Sequence, residues 1–322
     1  MLRDPVVHLP ARDIPVPKSL SPQAQAILAV VPFELSDYPS LDDVEGWRTM
    51  VTDRDASIMA MVGERASPVP ATVEEVDLDG VRVYVITPDD LADDDRRAFL
   101  EVHGGAFIMG GGENCRIMGL RAVGRSGVRT WAVDYRMPPD HRYPAPLNDC
   151  VTVYQALLRE HRPEEIIVSG GSAGGNLAAA LILRARDEGL PLPAAAVLMT
   201  PEVDLTESGD SFQVNLGLDN VLRQSLMPAN LLYADGHDLT DPYLSPLFAD
   251  FTKGFPPTIL TTGTRDLFLS NTVRLHRTLR AAGIHAELHV LEAAGHGGFF
   301  AQAPEDEDLE AEIRRFIDAH WA

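Results

Sequence analysis

Cysteine is scarce, with only Cys115 and Cys150 in 322 residues. So small a set excludes a disulfide framework, and two reduced thiols are the plain reading. Positive charge is also short: 27 Lys and Arg stand against 48 Asp and Glu, a formal net charge of -21. That balance repels phosphate backbones and anionic lipid, so neither nucleic acid nor a membrane surface is an expected partner. Long apolar runs are missing too. The longest uncharged stretch, Ile166 to Leu183, is interrupted by Gly170, Gly171, Gly174, Gly175 and Asn176. It reads as a buried strand, a tight turn and a buried helix, not as a membrane span. Met1 to Pro10 has no apolar run behind a basic cluster, so no secretory signal is expected and the cytoplasm is the default location. No repeat or low-complexity tract occurs. What is present is 45% hydrophobic residues, enough for a sizeable core.

The chain changes character near residue 70. Before it, Gln23 to Val31 suits a short helix, and a second is expected from a Ser40 cap, with Asp42 and Asp43 in its first turn, to a stop near Gly63. Ser67 to Pro70 reads as a linker. Beyond it, Thr72 to Asp77 and Val81 to Thr87 are β-rich runs around Leu78-Asp79-Gly80, a hairpin signal. Further strands are expected at Ala98 to Val102, Arg129 to Val133, Ile166 to Ser169, Ala194 to Met199, Thr258 to Thr262 and Ala286 to Leu291. Helices are expected between them at Met118 to Arg125, Ala145 to Arg159, Ala173 to Glu188 and Ser270 to Ala282, with a last one from Asp306 to His320. This alternation predicts a mainly parallel sheet covered on both faces. Asp204 to Pro246 breaks the alternation and is too long for a plain connection, so it reads as a lid together with the N-terminal helices.

The sharpest chemical signal is Gly170-Gly171-Ser172-Ala173-Gly174, the pattern Gly-x-Ser-x-Gly between a β-branched run and an Ala/Leu-rich one. A serine on a sharp strand-to-helix turn needs small neighbours and faces the positive end of the helix dipole. No Lys follows as in a phosphate-binding loop, so Ser172 is read as a nucleophile. A serine hydroxyl needs a general base. His296, within Ala294-Gly295-His296-Gly297-Gly298 after the last strand, has glycines on both sides that leave it free to face a pocket. His285 and His289 alternate along that strand and read as structural. The imidazole in turn needs a carboxylate. Asp266 follows the strand Thr258 to Thr262, and Glu202 and Asp204, after the preceding strand, are its rivals. Strand C-terminal ends are where such sheets place their sites. The chain order Ser172, Asp266, His296 is that of α/β-hydrolases. His103-Gly104-Gly105-Ala106 follows the strand Ala98 to Val102 and offers backbone donors for an oxyanion at Gly104 and Gly105, with the N–H of Ala173 completing the hole. His103 itself reads as a loop brace.

These motifs resemble those of the bacterial hormone-sensitive-lipase-like esterases, the family IV carboxylesterases. Asp134-Tyr135-Arg136-Met137-Pro138-Pro139-Asp140-His141 adds to the likeness, being similar to that family's Asp-Tyr-Arg-Leu-Ala-Pro-Glu-His stretch. The resemblance covers roughly residues 70 to 320. It implies an α/β-hydrolase fold: a mostly parallel eight-stranded sheet with helices on both faces and a helical cap. On this reading residues 1–70 form an N-terminal cap segment, and residues 71–322 a catalytic domain with a cap insertion at about 204–246. It implies no cofactor and no metal, and hydrolysis of short-chain or cyclic carboxylic esters. The Thr-Arg-Asp-Leu and Leu-Ser sequences near Asp266 look like those of monoterpene ε-lactone hydrolases. Three positions depart from the family pattern: Ala106 replaces a third glycine, Gly171 precedes the serine where relatives often carry Asp or Thr, and Gly297-Gly298-Phe299 follows the histidine in place of Gly-Phe.

The expected function is a serine esterase acting on a small apolar ester, with a lactone as the alternative substrate. From another class comes a small-molecule binding protein on a catalytically dead hydrolase scaffold, which the presence of His296 disfavours. A metal hydrolase finds no His-Glu-x-x-His or carboxylate cluster to support it. Ala286 to Leu291 is expected at an open sheet edge, where a second copy could pair to form a homodimer.

Overall fold

The computed structural model describes residues 7, 10–11, 13–30, 37–62 and 70–321. The expected helix stop at Gly63 and all of the expected linker except Pro70 lie outside them. Eight strands form one sheet: β1 (Ala71–Leu78), β2 (Val81–Pro88), β3 (Ala98–Val102), β4 (Thr130–Val133), β5 (Ile166–Gly171), β6 (Ala195–Met199), β7 (Thr258–Gly263) and β8 (Ala286–Leu291). Their spatial order is β1-β2-β4-β3-β5-β6-β7-β8. From β4 to β8 every neighbouring pair is parallel, and β2 runs antiparallel to both β1 and β4. Leu78 pairs with Val81, so it completes β1 rather than joining the turn. That leaves Asp79 and Gly80 as a two-residue loop, both in the left-handed region at φ 55 and 90.

The central strands are apolar throughout because helices cover both faces. On one face, α4 (Ala145–Leu157), α5 (Ala173–Asp187) and α8 (Leu269–Ala281) pack on Leu100, Val102, Val168, Leu198 and Leu260. On the other, α3 (Glu113–Ser126) and α9 (Pro304–His320) pack on Phe99, Ile167, Val197, Ile259 and Ala132. Helix α5 is buried almost all round, which explains why its sequence shows little polar stripe. Cutting Leu177 or Leu181 to Ala there should cost about 2–5 kcal/mol.

Several element ends differ from expectation, each for a local reason. Helix α3 starts at Glu113, five residues before the expected Met118. Its first turn is polar and carries no apolar period, but the Gly112 N–H is held by the Asp134 carboxylate and Asn114 by Asp55. It stops on Gly127, left-handed at φ 67. Helix α2 (Val44–Val62) is capped by Asp43, whose carboxylate accepts the Gly46 N–H, and not by Ser40. Ser40 instead offers its carbonyl to the Trp47 indole. Helix α1 (Pro22–Leu28) begins at a Ser21 cap and ends short of the expected Val31. Helix α9 begins at Pro304, whose ring suits the first helical position.

The segment from 204 to 246 carries two short helices, α6 (Ser211–Val214) and α7 (Met227–Ala234). Phe212, Leu226, Ala229 and Leu232 from it join Trp47 and Met50 of α2 in one buried cluster. Ala106, Ile108, Leu267 and Phe268 from the loops after β3 and β7 complete that cluster. Two stretches remote in sequence thus meet over the C-terminal edge of the sheet.

Candidate active site

Ser172 sits between β5 and α5 at φ 58, ψ -125. Such a backbone costs roughly 1–3 kcal/mol for a residue with a side chain and persists only where its surroundings enforce it. The surroundings here are backbone. A Cβ on Gly170 would lie 2.3 Å from the Gly174 carbonyl, and one on Gly174 would lie 2.0 Å from the Val102 carbonyl. The Ser172 N–H donates to the Met199 carbonyl at 2.9 Å. Helix α5 starts at the next residue and directs its free N–H groups at this turn.

The loop after β3 approaches from the neighbouring strand. A Cβ on Gly104 would come 2.9 Å from the Gly171 carbonyl, and one on Gly105 would come 2.0 Å from the Met109 carbonyl. Gly105 (φ 125), Ala106 (φ 50) and Phe107 (φ 65) are all left-handed, so Ala106 takes up a glycine-like conformation in spite of its methyl. Among the described residues, the N–H groups of Gly104, Gly105 and Ala173 have no hydrogen-bond acceptor. The loop is braced from below. His103 Nδ1 lies 2.8 Å from the Gly104 carbonyl, and its ring stacks on Tyr135 at 4.0 Å. Tyr135 donates its hydroxyl to the His103 carbonyl. Burial holds the His103 ring below its ordinary value, so it is neutral. From above, the Asp55 carboxylate of α2 accepts the Gly110 N–H and the Asn114 amide, both at 2.9 Å.

On the other side of the serine, His296 and Asp266 face each other after β8 and β7. His296 Nδ1 lies 3.1 Å from Asp266 Oδ1, and both side chains are buried. Asp266 Oδ1 also accepts the Phe268 N–H, and Oδ2 accepts the Thr262 hydroxyl at 2.7 Å. Such fixed donors orient the carboxylate and leave Nδ1–H as the imidazole's partner for it, so Nε2 is the nitrogen with a free lone pair. Burial opposes a charged ring, but the charge and hydrogen bond of Asp266, with a further contribution from Asp219, outweigh it and raise the His296 pKa. The rivals are placed elsewhere. The Asp204 carboxylate is taken up by Thr206, Ser208 and Arg274. Glu202 is fully buried behind the serine, its N–H donating to the Ser172 carbonyl at 3.2 Å, and burial pushes its carboxyl up to about 8.

Asp219 was not singled out from the sequence. It lies in the 204–246 segment, flanked by Asn220 and Leu218, with no motif to mark it. Its buried carboxylate accepts N–H groups from Val221, Leu222, Leu267 and His296. Thr262 and Tyr135 were likewise invisible as supports, because a hydroxyl's partner is a matter of three dimensions.

Of the apolar lid residues, Met50 and Phe212 are core, while Leu216 is exposed. Among the described residues one trio, His103, Cys115 and Asp134, brings possible metal-binding atoms within 4.8 Å of one another. Arg82 already pairs with Asp134, and burial pushes the Cys115 thiol far up, so the trio reads as packing under the loop. A cavity of about 840 Å³ lies between α2 and the 134–141 stretch, and Ser172, Asp266 and His296 are not on its wall. Arg48, Arg82 and Arg136 on its wall each face a carboxylate, so it is not an anion site. Among the described residues no helix is long and apolar enough to cross a membrane.

Known proteins resemble this chain in sequence and fold. A family model described as the alpha/beta hydrolase fold matches residues 99–300. The chain is 33% identical to an esterase of Acinetobacter venetianus over 67% of its own length and 72% of that protein. The crystal structure of an esterase E25 superposes with a TM-score of 0.91 at 36% identity, covering 98% of this chain and 99% of that one. A further crystal structure, of an esterase from the bacterial hormone-sensitive lipase family, gives 0.78 at 29% identity over 94% of this chain and 99% of that one. The elbow at Ser172, the glycine loop at His103 and this breadth of likeness agree, and the chain belongs to the α/β-hydrolase superfamily, among the carboxylic ester hydrolases of its bacterial hormone-sensitive-lipase-like, family IV, branch.

Proposed function

We propose that the chain hydrolyses short-chain carboxylic esters through Ser172, His296 and Asp266. Ser172 Oγ attacks the ester carbonyl carbon while its proton passes to His296 Nε2. Asp266 holds the ring and stabilises the imidazolium. The N–H groups of Gly104, Gly105 and Ala173 take the oxyanion. Collapse breaks the acyl–oxygen bond, returns the proton to the leaving alcohol and leaves acyl-Ser172. Water then repeats the sequence with His296 as base and releases the acid. In a lactone the leaving alcohol stays tethered to the acyl group, and the same steps apply.

The observation that carries this reading is the buried His296–Asp266 pair, 3.1 Å apart, at the same sheet edge as a serine held at φ 58. In the proposed domain layout, residues 1–70 and about 204–246 form the cap and shape an apolar substrate pocket, and no cofactor takes part. The test is nitrophenol release from p-nitrophenyl esters of increasing acyl length, with ε-lactones in parallel. A burst matching the enzyme concentration, absent in Ser172→Ala, is the expected result. Equal turnover by Ser172→Ala would overturn it. Faster turnover of lactones than of any open-chain ester would favour the lactone reading.

A further inference from the structure

Three loops converge on one carboxylate. Asp219 Oδ1 accepts the N–H groups of Val221 at 2.8 Å and Leu222 at 3.1 Å, which fold its own segment. Asp219 Oδ2 accepts the N–H of Leu267, the neighbour of Asp266, at 2.8 Å. Both oxygens lie 3.2 Å from the N–H of His296. Asp219 is fully buried, so these donors replace its water. Burial raises the Asp219 carboxyl above its ordinary value, and the N–H donors together with the His296 ring act against that rise.

The packing against it is equally specific. A Cβ on Gly295 would lie 2.4 Å from the Asn220 side-chain oxygen and 3.0 Å from Asp219 Oδ1. The glycine before the histidine therefore makes room for Asn220 first and Asp219 second. The charged groups facing the His296 ring are Asp266, from the loop after β7, and Asp219, from the lid segment.

We propose that Asp219 is a positioning residue for the catalytic acid and base. Its carboxylate lies 3.2 Å from the His296 N–H, and its charge also favours the protonated ring. The inference rests on the Ser172–His296–Asp266 reading above. Asp219 touches no substrate. It fixes the backbone at Leu267 and His296, and so the separation of Asp266 from the imidazole. It also links the lid segment to both catalytic loops, so lid and base move as one unit.

The experiment compares wild type, Asp219→Asn and Asp219→Ser with p-nitrophenyl butyrate across pH, with melting temperatures recorded alongside. The expected loss is in kcat, about 10²-fold, with KM little changed, as a misplaced acid–base pair gives. The sign of the pH effect follows from the base. His296 must be neutral to accept a proton, and Asp219 favours its charged form. Without Asp219 the acid limb of kcat/KM should move to lower pH. A purely structural residue would lower stability or activity and leave the limb in place. Folded variants with an unshifted limb, or with unchanged kcat, overturn the inference. Turnover by Ser172→Ala would instead overturn the triad itself. If neither Asp219 variant folds, NMR of the Ser172→Ala protein decides. The amide protons of Leu267 and His296 should then shift together as one carboxylate titrates, and independent behaviour overturns the proposal.

Discussion

The two sides of Ser172 are built from different materials. On the proposed oxyanion side the geometry is made of backbone: Gly104, Gly105, Gly170 and Gly174 allow main chains to approach within distances no side chain could share. On the base side it is made of carboxylates: Asp266 holds the His296 ring and Asp219 holds its backbone. Backbone contacts fix position and are indifferent to pH. Carboxylates fix position and also set charge, so this half of the site should respond to pH and to isosteric substitution.

Neutralising the base side should have the largest effect. Asp266→Asn keeps the shape but removes the charge and disturbs the tautomer, and kcat should fall by about 10⁴-fold. Steady-state kinetics with a butyrate ester checks this, and a loss under tenfold would remove Asp266 from the role. On the backbone side, Gly105→Ala places a methyl against the Met109 carbonyl. Displacing one oxyanion donor should lower kcat by about 10²–10³-fold, with a pH profile parallel to that of wild type. A shifted profile would erase the distinction between the two sides.

Glu202 gives a smaller effect, read in stability. Its carboxyl titrates near 8 when buried, against an ordinary value of 4.5. The raised value means the group favours folding in its protonated form. Stability is then fully present below about 4.5 and is lost as pH rises towards about 8. Glu202→Gln should remove that slope, so its melting temperature relative to wild type should be higher at alkaline than at mildly acidic pH, by at least about 2 °C. Calorimetry at the two pH values decides, and equal differences would refute it. The smallest expected effect is association. Among the described residues strand β8 pairs only with β7, and its other edge carries no strand. We propose a homodimer through that edge, and light scattering at high micromolar concentration showing monomer alone would exclude it.

How much of this was legible follows the same division. The strand and helix order was readable because alternating apolar runs leave few packings open. Ser172 and the Gly104–Gly105 loop announced themselves through glycines that only a close backbone approach requires. His296 was readable for a related reason, although the glycine before it makes room for Asn220 and Asp219. Asp219 was not readable, since an acid in an irregular segment looks like a solvated surface charge until a loop 77 residues later closes on it. The early start of α3 was hidden because its first turn is held by Asp134 and Asp55, from elsewhere in the chain, and not by its own pattern.

The grip of Asp55 on Gly110 has a consequence for timing. Helix α2 is tied to the far end of the loop that carries the proposed oxyanion donors. Any displacement of α2 during turnover would take the anchor from Gly110 and disorder those donors, so the return of α2 would then set the pace. A kcat that falls as solvent viscosity rises would register that wait.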